Sequence, residues 1–213
     1  MKITNIISVL ILILSFAIWM FFYDKMPDLM ASHWNNVWVV DWYISKFWGL
    51  FMLPIISLIL YITFLLIPKI DPLKANINEF KPYFDSFVLL LLIFLFYIYS
   101  ITIYWNLWYI FDMNLMIIPA LSVLFFYVWI LLCNSKRNWF VGIRTPWTLS
   151  NDIVWDKTNK LWWILFKILW IISILSLFAW NNAYYFIVIP LVFFAITLII
   201  YSYVEYWDQE IQK

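Results

Sequence analysis

The chain has few of the residues that a water-soluble or catalytic domain needs. Only 12% of its 213 residues are charged, whereas 67% are hydrophobic and 23% are aromatic. Average soluble domains contain about 25% charged residues, and a soluble domain of this size leaves much of its surface in water. Intrinsic disorder is excluded as well, because disordered segments have few aromatic residues and a high net charge. The composition therefore indicates a protein that folds in the lipid bilayer.

Cysteine, histidine and glycine are scarce. Cys133 is the single cysteine, so the chain has neither an intramolecular disulfide nor a thiolate metal cage. With His33 as the single histidine, it also lacks the three or four ligands of a zinc site. Because Gly49 and Gly142 are the only glycines, we expect the helices to pack through large side chains. We predict no metal, no cofactor and, at a net charge of +1, no direct binding of nucleic acid.

Six apolar stretches are long enough to cross a bilayer, which takes about 20 residues of helix. The first exceeds the apolar core of a signal peptide and is predicted to be retained. Short connections at 106–114 and 181–183 predict that the helices on either side of each are antiparallel neighbours. The predicted fold class is an all-α, polytopic integral membrane protein of the cell membrane. Its six transmembrane helices cover residues 4–23, 47–67, 84–105, 115–134, 161–180 and 184–204.

Lysine and arginine are distributed unevenly between the two sides of this arrangement. If the N-terminus is cytoplasmic, ten of the 13 basic residues lie inside, and only Lys25 and Lys46 lie outside. The positive-inside rule therefore predicts that both termini are cytoplasmic. Lys167 remains within the fifth span, near its cytoplasmic end, where a lysine side chain reaches the interface.

The predicted cytoplasmic loop, residues 135–160, is the most distinctive segment. Gly142 supplies backbone freedom, and Thr145 is kept out of the helical region by the following Pro146, which predicts a turn. Ser150 is predicted to cap a helix that runs into the fifth span. Trp155 on that helix is predicted to lie at the membrane surface.

Two interpretations of this loop remain open. It is either a basic, tryptophan-anchored connector that sets the topology or a specific binding surface. The Arg144 guanidinium suits a lipid phosphate, a carboxylate or a helix C-terminus. The candidate partner-binding residues are Gly142, Arg144, Thr145, Pro146, Trp147 and Trp155.

The same loop carries a family resemblance. Residues 138–150 read NWFVGIRTPWTLS, and Val154-Trp155 and Lys157-Thr158 follow. This run resembles the signature of the SdpI family, multispan membrane proteins of bacteria and archaea named for an immunity protein against a secreted killing peptide. Family members usually have a histidine after the Lys-Thr pair, where this chain has Asn159.

The predicted external loop, residues 26–46, carries a second resemblance. It is similar to the N-terminal domain of unknown function that commonly precedes the SdpI signature, although Trp38 replaces a glycine of that pattern. The resemblances predict a two-span unit at 1–68 and a four-span SdpI-like unit at 69–213. The candidate ligand-binding residues of this loop are His33, Trp34, Asn35 and Asp41.

Two features of the external loop have alternative interpretations. Trp34, Trp38 and Trp42 would form one stripe if the segment is helical, either resting on the outer leaflet or receiving an apolar peptide. His33 is either a hydrogen-bonded loop residue or a sensor of pH or of an external ligand.

The resemblance also bears on the class of function. The sequence has no motif of a hydrolase or nucleotide-binding enzyme, and we predict that the protein is not an enzyme. The SdpI resemblance implies resistance to a secreted membrane-active peptide toxin, and signalling through a cytoplasmic winged-helix repressor. The alternatives are a transporter of small solutes or ions that uses Lys167 or Asp85, and a structural membrane scaffold.

Overall fold

Six long helices, one short antiparallel hairpin and two short helices make up the structure. The computed structural model describes residues 3–35, 39–107 and 109–211, without the side chains of Trp180 and Asn181. The long helices are α1 (Ile3–Phe22), α2 (Lys46–Ile70), α4 (Lys81–Asn106), α5 (Met113–Asn134), α7 (Asp152–Leu175) and α8 (Ala183–Ile211). The short elements are β1 (Leu29–Trp34), β2 (Val40–Ser45), α3 (Lys74–Glu79), α6 (Pro146–Ser150), and 3-10 turns at Tyr23–Lys25 and Ser176–Asn182.

The six predicted spans are confirmed, since each long helix is long and apolar enough to cross a membrane. The largest differences between the predicted and observed helix boundaries occur in the last two spans. Helix α7 begins nine residues before the predicted start at 161, and α8 continues seven residues past the predicted end at 204. Both extensions carry polar residues, so hydropathy alone placed the boundaries too close to the centre of the bilayer. The predicted neighbours α4 and α5, and α7 and α8, do pack together.

The helices pack as two groups of three that are joined by α4 and α5. One group contains α1, α2 and α4, with Leu12, Tyr61 and Phe84 in its core. The other contains α5, α7 and α8, and its core includes Phe125 and Leu169. Many large apolar side chains point away from both cores, as expected for helices surrounded by acyl chains.

A buried hydroxyl pair links α5 to α7. Ser122 Oγ lies 2.7 Å from Ser173 Oγ, and Ser122 also donates to the Ile118 carbonyl. Polar groups within a bilayer need such internal partners because no water is available.

The loop between α1 and α2 is a β-hairpin, so the helical segment on which the tryptophan stripe depended does not form. Trp34 lies on β1, paired with Val40 of β2, and Trp42 is paired with His33. Trp38 lies outside the described residues. The segment is rich in β-branched and aromatic residues, which fit a pleated ribbon better than a helix. Strand β2 continues into α2 without an intervening residue.

Candidate binding surfaces at the two ends of the bundle

The hairpin and the loop between α5 and α7 lie at opposite ends of the bundle. We call these the hairpin end and the loop end. The predicted orientation makes the hairpin end external and the loop end cytoplasmic.

Asn106, the last residue of α4, fixes the hairpin to the bundle. Its Oδ1 accepts the Ala31 backbone N–H at 2.7 Å, and its Nδ2 donates to the Ala31 and Thr102 carbonyls. The hairpin also packs closely on α2, where a Cβ added to Gly49 would lie 2.8 Å from the Met30 sulfur. Gly49 therefore permits a close contact, an exception to the expected packing through large side chains alone.

The four predicted ligand-binding residues of the external loop all lie in this hairpin. His33 Nδ1 and Asp41 Oδ1 are 2.6 Å apart across the strands, and both side chains are exposed. Trp34 packs edge-to-face on Trp105, with ring centroids 5.5 Å apart. Asn35 closes the turn, since its Oδ1 accepts the Val39 N–H at 3.0 Å. His33 and Asp41 are thus available to a ligand, whereas Trp34 and Asn35 also stabilise the hairpin.

An apolar cavity of about 330 Å³ lies beneath the hairpin. We call it the hairpin groove. His33 and Trp34 contribute to its hairpin side, and the opposite walls come from α2, α4 and α5. Such walls suit an aliphatic or aromatic segment with few polar groups. Its apolar lining residues include Ile44, Met52, Leu53, Ile98, Met113 and Ile117.

At the loop end, a fully buried asparagine organises the signature segment. Asn138 Oδ1 accepts the N–H groups of Phe140 and Val141 at 2.8 and 2.6 Å. Its Nδ2 donates to the carbonyls of Lys136 and Val141 at 2.7 and 2.9 Å. One side chain therefore satisfies two donors and two acceptors of a loop that has no regular backbone pairing of its own.

Gly142 adopts a φ of +111°, a conformation that side chains disfavour. A Cβ at this position would lie 2.5 Å from Asn159 Oδ1 and 3.0 Å from the Trp155 ring. Asn159 Oδ1 accepts the Ile143 N–H at 3.0 Å, so the residue at the family's histidine position stabilises the loop. Trp155 is only 1% exposed, so its indole is covered by protein and is not the exposed membrane anchor that the sequence predicts. The loop folds back over α7 and covers the indole.

Thr145 begins helix α6 with a reciprocal cap. Its hydroxyl accepts the Thr148 N–H, and the Thr148 hydroxyl accepts the Thr145 N–H. Thr145 also donates to Ser202 of α8 at 3.1 Å. The expected turn at Pro146 is thus a short helix. Ser150 was predicted to cap α7, but that prediction is wrong, because Asn151 accepts the first N–H groups of the helix.

Arg144, Pro146 and Trp147 lie together at the start of α6, and we call them the loop patch. Arg144 and Pro146 are exposed and Trp147 is half-buried. Trp139 and Ser150 of the signature are exposed as well. A guanidinium N–H of Arg144 donates to the Trp139 carbonyl at 3.0 Å. The Trp147 ring packs edge-to-face on Tyr203 of α8, with ring centroids 5.1 Å apart. Gly142, Thr145 and Trp155 hold this patch in place from below.

Sequence reasoning missed the residues that connect this loop to the first half of the chain. Asp71, at the end of α2, is 2% exposed and accepts the N–H groups of Leu73 and Trp139 at 2.6 and 2.9 Å. Asn76 donates to the Arg137 carbonyl at 2.7 Å. An aspartate directly before a proline, after an apolar helix, was the only available signal.

Lys167 and Asp85, the residues of the transport alternative, have local contacts. Lys167 Nζ lies 5.3 Å from the centroid of the Trp129 ring, and Asp85 accepts from Lys81 at 2.8 Å, one turn away on α4. They lie on α7 and α4, in different helix groups.

Comparison with known proteins agrees with both resemblances. Residues 134–202 match the SdpI/YfhL protein family, and residues 10–58, which contain the hairpin, match a domain of unknown function, DUF1648. The chain is 29% identical over 210 residues to a Bacillus subtilis (strain 168) protein called Immunity protein SdpI, covering 95% of this chain and 94% of that protein. The chain is therefore similar to Immunity protein SdpI along nearly its whole length. No solved structure matches it.

The SdpI resemblance predicted from the signature loop is therefore confirmed. The SdpI-like chain is a multi-pass protein of the cell membrane, and its six helices contact the lipid bilayer. The family match covers the loop patch and, among the residues that position it, Asn138, Gly142, Thr145, Trp155 and Ser202.

Proposed function

We propose that the chain confers resistance to a secreted, membrane-active peptide toxin, and that the hairpin groove is where the toxin binds. The observation that carries the proposal is the similarity to Immunity protein SdpI along nearly the whole chain. A peptide that acts on membranes must present an apolar surface. The hairpin groove offers apolar walls at one end of the bundle, with the exposed His33 and Asp41 beside it.

Filling the groove tests this proposal. We expect Ile98→Trp, which adds a bulky ring to the wall, to reduce protection about tenfold, equivalent to about 1.4 kcal/mol of binding. The assay is survival of Bacillus subtilis that lacks its own Immunity protein SdpI and expresses this chain, in co-culture with the intact parent strain. Ile93→Trp is the matched control, because Ile93 lies on the same helix but is exposed outside the groove.

Two results would contradict the toxin proposal. One is survival no better than with an empty vector while the chain is present in the membrane. The other is an equal loss of protection in the Ile98→Trp and Ile93→Trp variants at equal membrane abundance.

The loop patch supports a second role, binding of a small winged-helix repressor. Arg144 and Trp147 combine a cation and an aromatic ring, residue types that are enriched in protein interfaces. Their backbone is fixed by the Asn138, Gly142 and Thr145 contacts, so little ordering is needed on binding.

The repressor role predicts a separation of functions. With a tagged winged-helix repressor co-expressed with the chain, we expect co-purification that Arg144→Ala with Trp147→Ala abolishes, while protection in co-culture persists. Lys74→Ala is the control, since Lys74 is also exposed and basic and lies on α3, away from the patch. Recovery of the repressor at the same level from the double variant would contradict the role of the loop patch.

A further inference from the structure

A second cavity, of about 430 Å³, lies at the loop end between α1, α2, α3 and α4. We call it the basal cavity. Its deeper wall is apolar and includes Phe64, Leu65 and Val88. Its polar lining comes from four different helices and comprises Asn5, Ser8, Lys69, Asn78, Lys81 and Asp85.

Several of these polar groups lack a protein partner. Within residues 3–35, 39–107 and 109–211, the side chains of Asn5, Ser8, Lys69 and Asn78 make no hydrogen bond or ion pair. Ser8 is only 2% exposed as a residue and lines the cavity, so its hydroxyl is available to a group inside the cavity. Buried polar groups in folded proteins are normally satisfied by protein, water or ligand. The cavity therefore presents hydrogen-bond donors to a group that accepts them.

The charges of the basal cavity favour an anion with one negative charge. Lys69 and Lys81 contribute two positive charges and Asp85 one negative charge, and Lys81 is paired with Asp85 at 2.8 Å. Helices α1 and α4 begin at this end and α2 ends there, so the partial positive charge of two N-termini exceeds the partial negative charge of one C-terminus. A phosphodiester carries one negative charge and accepts several hydrogen bonds.

The position of the cavity selects between soluble and lipid phosphates. Asn5 lies near the start of α1, Lys69 near the end of α2 and Lys81 at the start of α4, so the polar groups gather at the ends of three membrane-spanning helices. The apolar wall of Phe64, Leu65 and Val88 continues from the polar groups toward the bilayer centre. Basic pockets between transmembrane helices characteristically bind anionic lipid headgroups.

We propose that the basal cavity binds an anionic phospholipid with a single phosphodiester, such as phosphatidylglycerol. Lys69 pairs with the phosphate, Asn5, Ser8 and Asn78 donate to the headgroup oxygens, and an acyl chain lies along Phe64 and Leu65. The site is independent of the hairpin groove and of the proposed toxin resistance.

Native mass spectrometry of the full chain in detergent tests this site. We expect phosphatidylglycerol to bind more tightly than phosphatidylcholine with the same acyl chains. Lys69→Gln should weaken phosphatidylglycerol binding about fivefold, the effect of one basic residue near an anionic headgroup. Lys74→Gln, five residues away and outside the cavity, should leave binding unchanged.

Further measurements separate the lipid from other occupants and from misfolding. Leu65→Trp should block the acyl wall and reduce lipid retention. Leu66→Trp, at a position of similar exposure that does not line the cavity, should not. The Lys69→Arg variant should retain the lipid. That result would show that a substitution at this position does not by itself disrupt the fold. Equal retention of the two lipids, equal effects of Lys69→Gln and Lys74→Gln, or saturation by glycerol phosphate at the same concentration as the lipid would overturn the proposal.

Discussion

Gly142→Ala is expected to destabilise the protein by about 2 to 5 kcal/mol and to disorder the loop patch. A positive φ costs a residue with a Cβ about 1 to 2 kcal/mol, and overpacking adds about 1 to 3 kcal/mol. The overpacking is specific, because the new Cβ would lie 2.5 Å from Asn159 Oδ1. Thermal unfolding in detergent micelles, followed by tryptophan fluorescence, measures the loss.

A double-mutant cycle separates the two causes. In an Asn159→Ala background the closest clash is removed, and only the 3.0 Å approach to the Trp155 ring remains beside the backbone strain. The additional effect of Gly142→Ala should therefore fall toward that strain of about 1 to 2 kcal/mol. Val141→Ala is the control, because it shortens a half-buried side chain beside Gly142 without altering a positive φ. Additive effects of Gly142→Ala and Asn159→Ala would contradict the proposed contact.

Asn138→Asp, an isosteric change, is expected to destabilise the protein by about 3 to 5 kcal/mol at neutral pH, the typical effect of an unpaired buried charge. The carboxylate keeps the acceptor for Phe140 and Val141 but replaces the donor to Lys136 and Val141 with a second acceptor. Asn138 is fully buried, so water cannot compensate. Thermal unfolding of the full chain across a pH series measures the change.

The pH dependence of this variant has a defined sign. Burial raises the pKa of the introduced carboxyl in the folded state above its unfolded value of about 4. Between these two pKa values the folded state binds more protons than the unfolded state, so stability falls as the pH rises through that window. Asn134→Asp is the matched control, because that amide is half-buried and bonds only to its own helix. An Asn138→Asp variant as stable as Asn134→Asp at every pH would contradict the role given to Asn138.

The six spans were predictable because length and hydropathy decide whether a helix crosses a bilayer. The hairpin was not, since tryptophans at 34, 38 and 42 match the helical period, and the strand preference of their neighbours decided the outcome. The Trp155 prediction failed for a related reason. A tryptophan at a span end is normally an interfacial anchor, but here the loop residue Gly142 packs against its ring.

The residues that position the two candidate surfaces share one property that hides them from sequence reasoning. Asn106 and Ala31 are 75 residues apart, and Asp71 and Trp139 are 68 residues apart. In each pair a side chain bonds to a backbone group, and a backbone group leaves no residue type in the sequence to mark it. The loop patch, Arg144, Pro146 and Trp147, belongs to a contiguous motif and was therefore recognisable.

Helix α2 sets a geometric requirement on the chain. Strand β2 enters it directly at Lys46, and the residue after its last turn, Asp71, accepts the Trp139 N–H. Its 25 residues correspond to about 37 Å of rise, and each residue turns the helix by about 100°. Deleting one residue from its middle would leave a helix that is long enough to span the membrane. It would also rotate one end of the helix relative to the other, so that either Asp71 loses its contact with Trp139 or Gly49 loses its contact with Met30. The fold therefore depends on the exact number of residues in this helix as well as on its hydrophobicity.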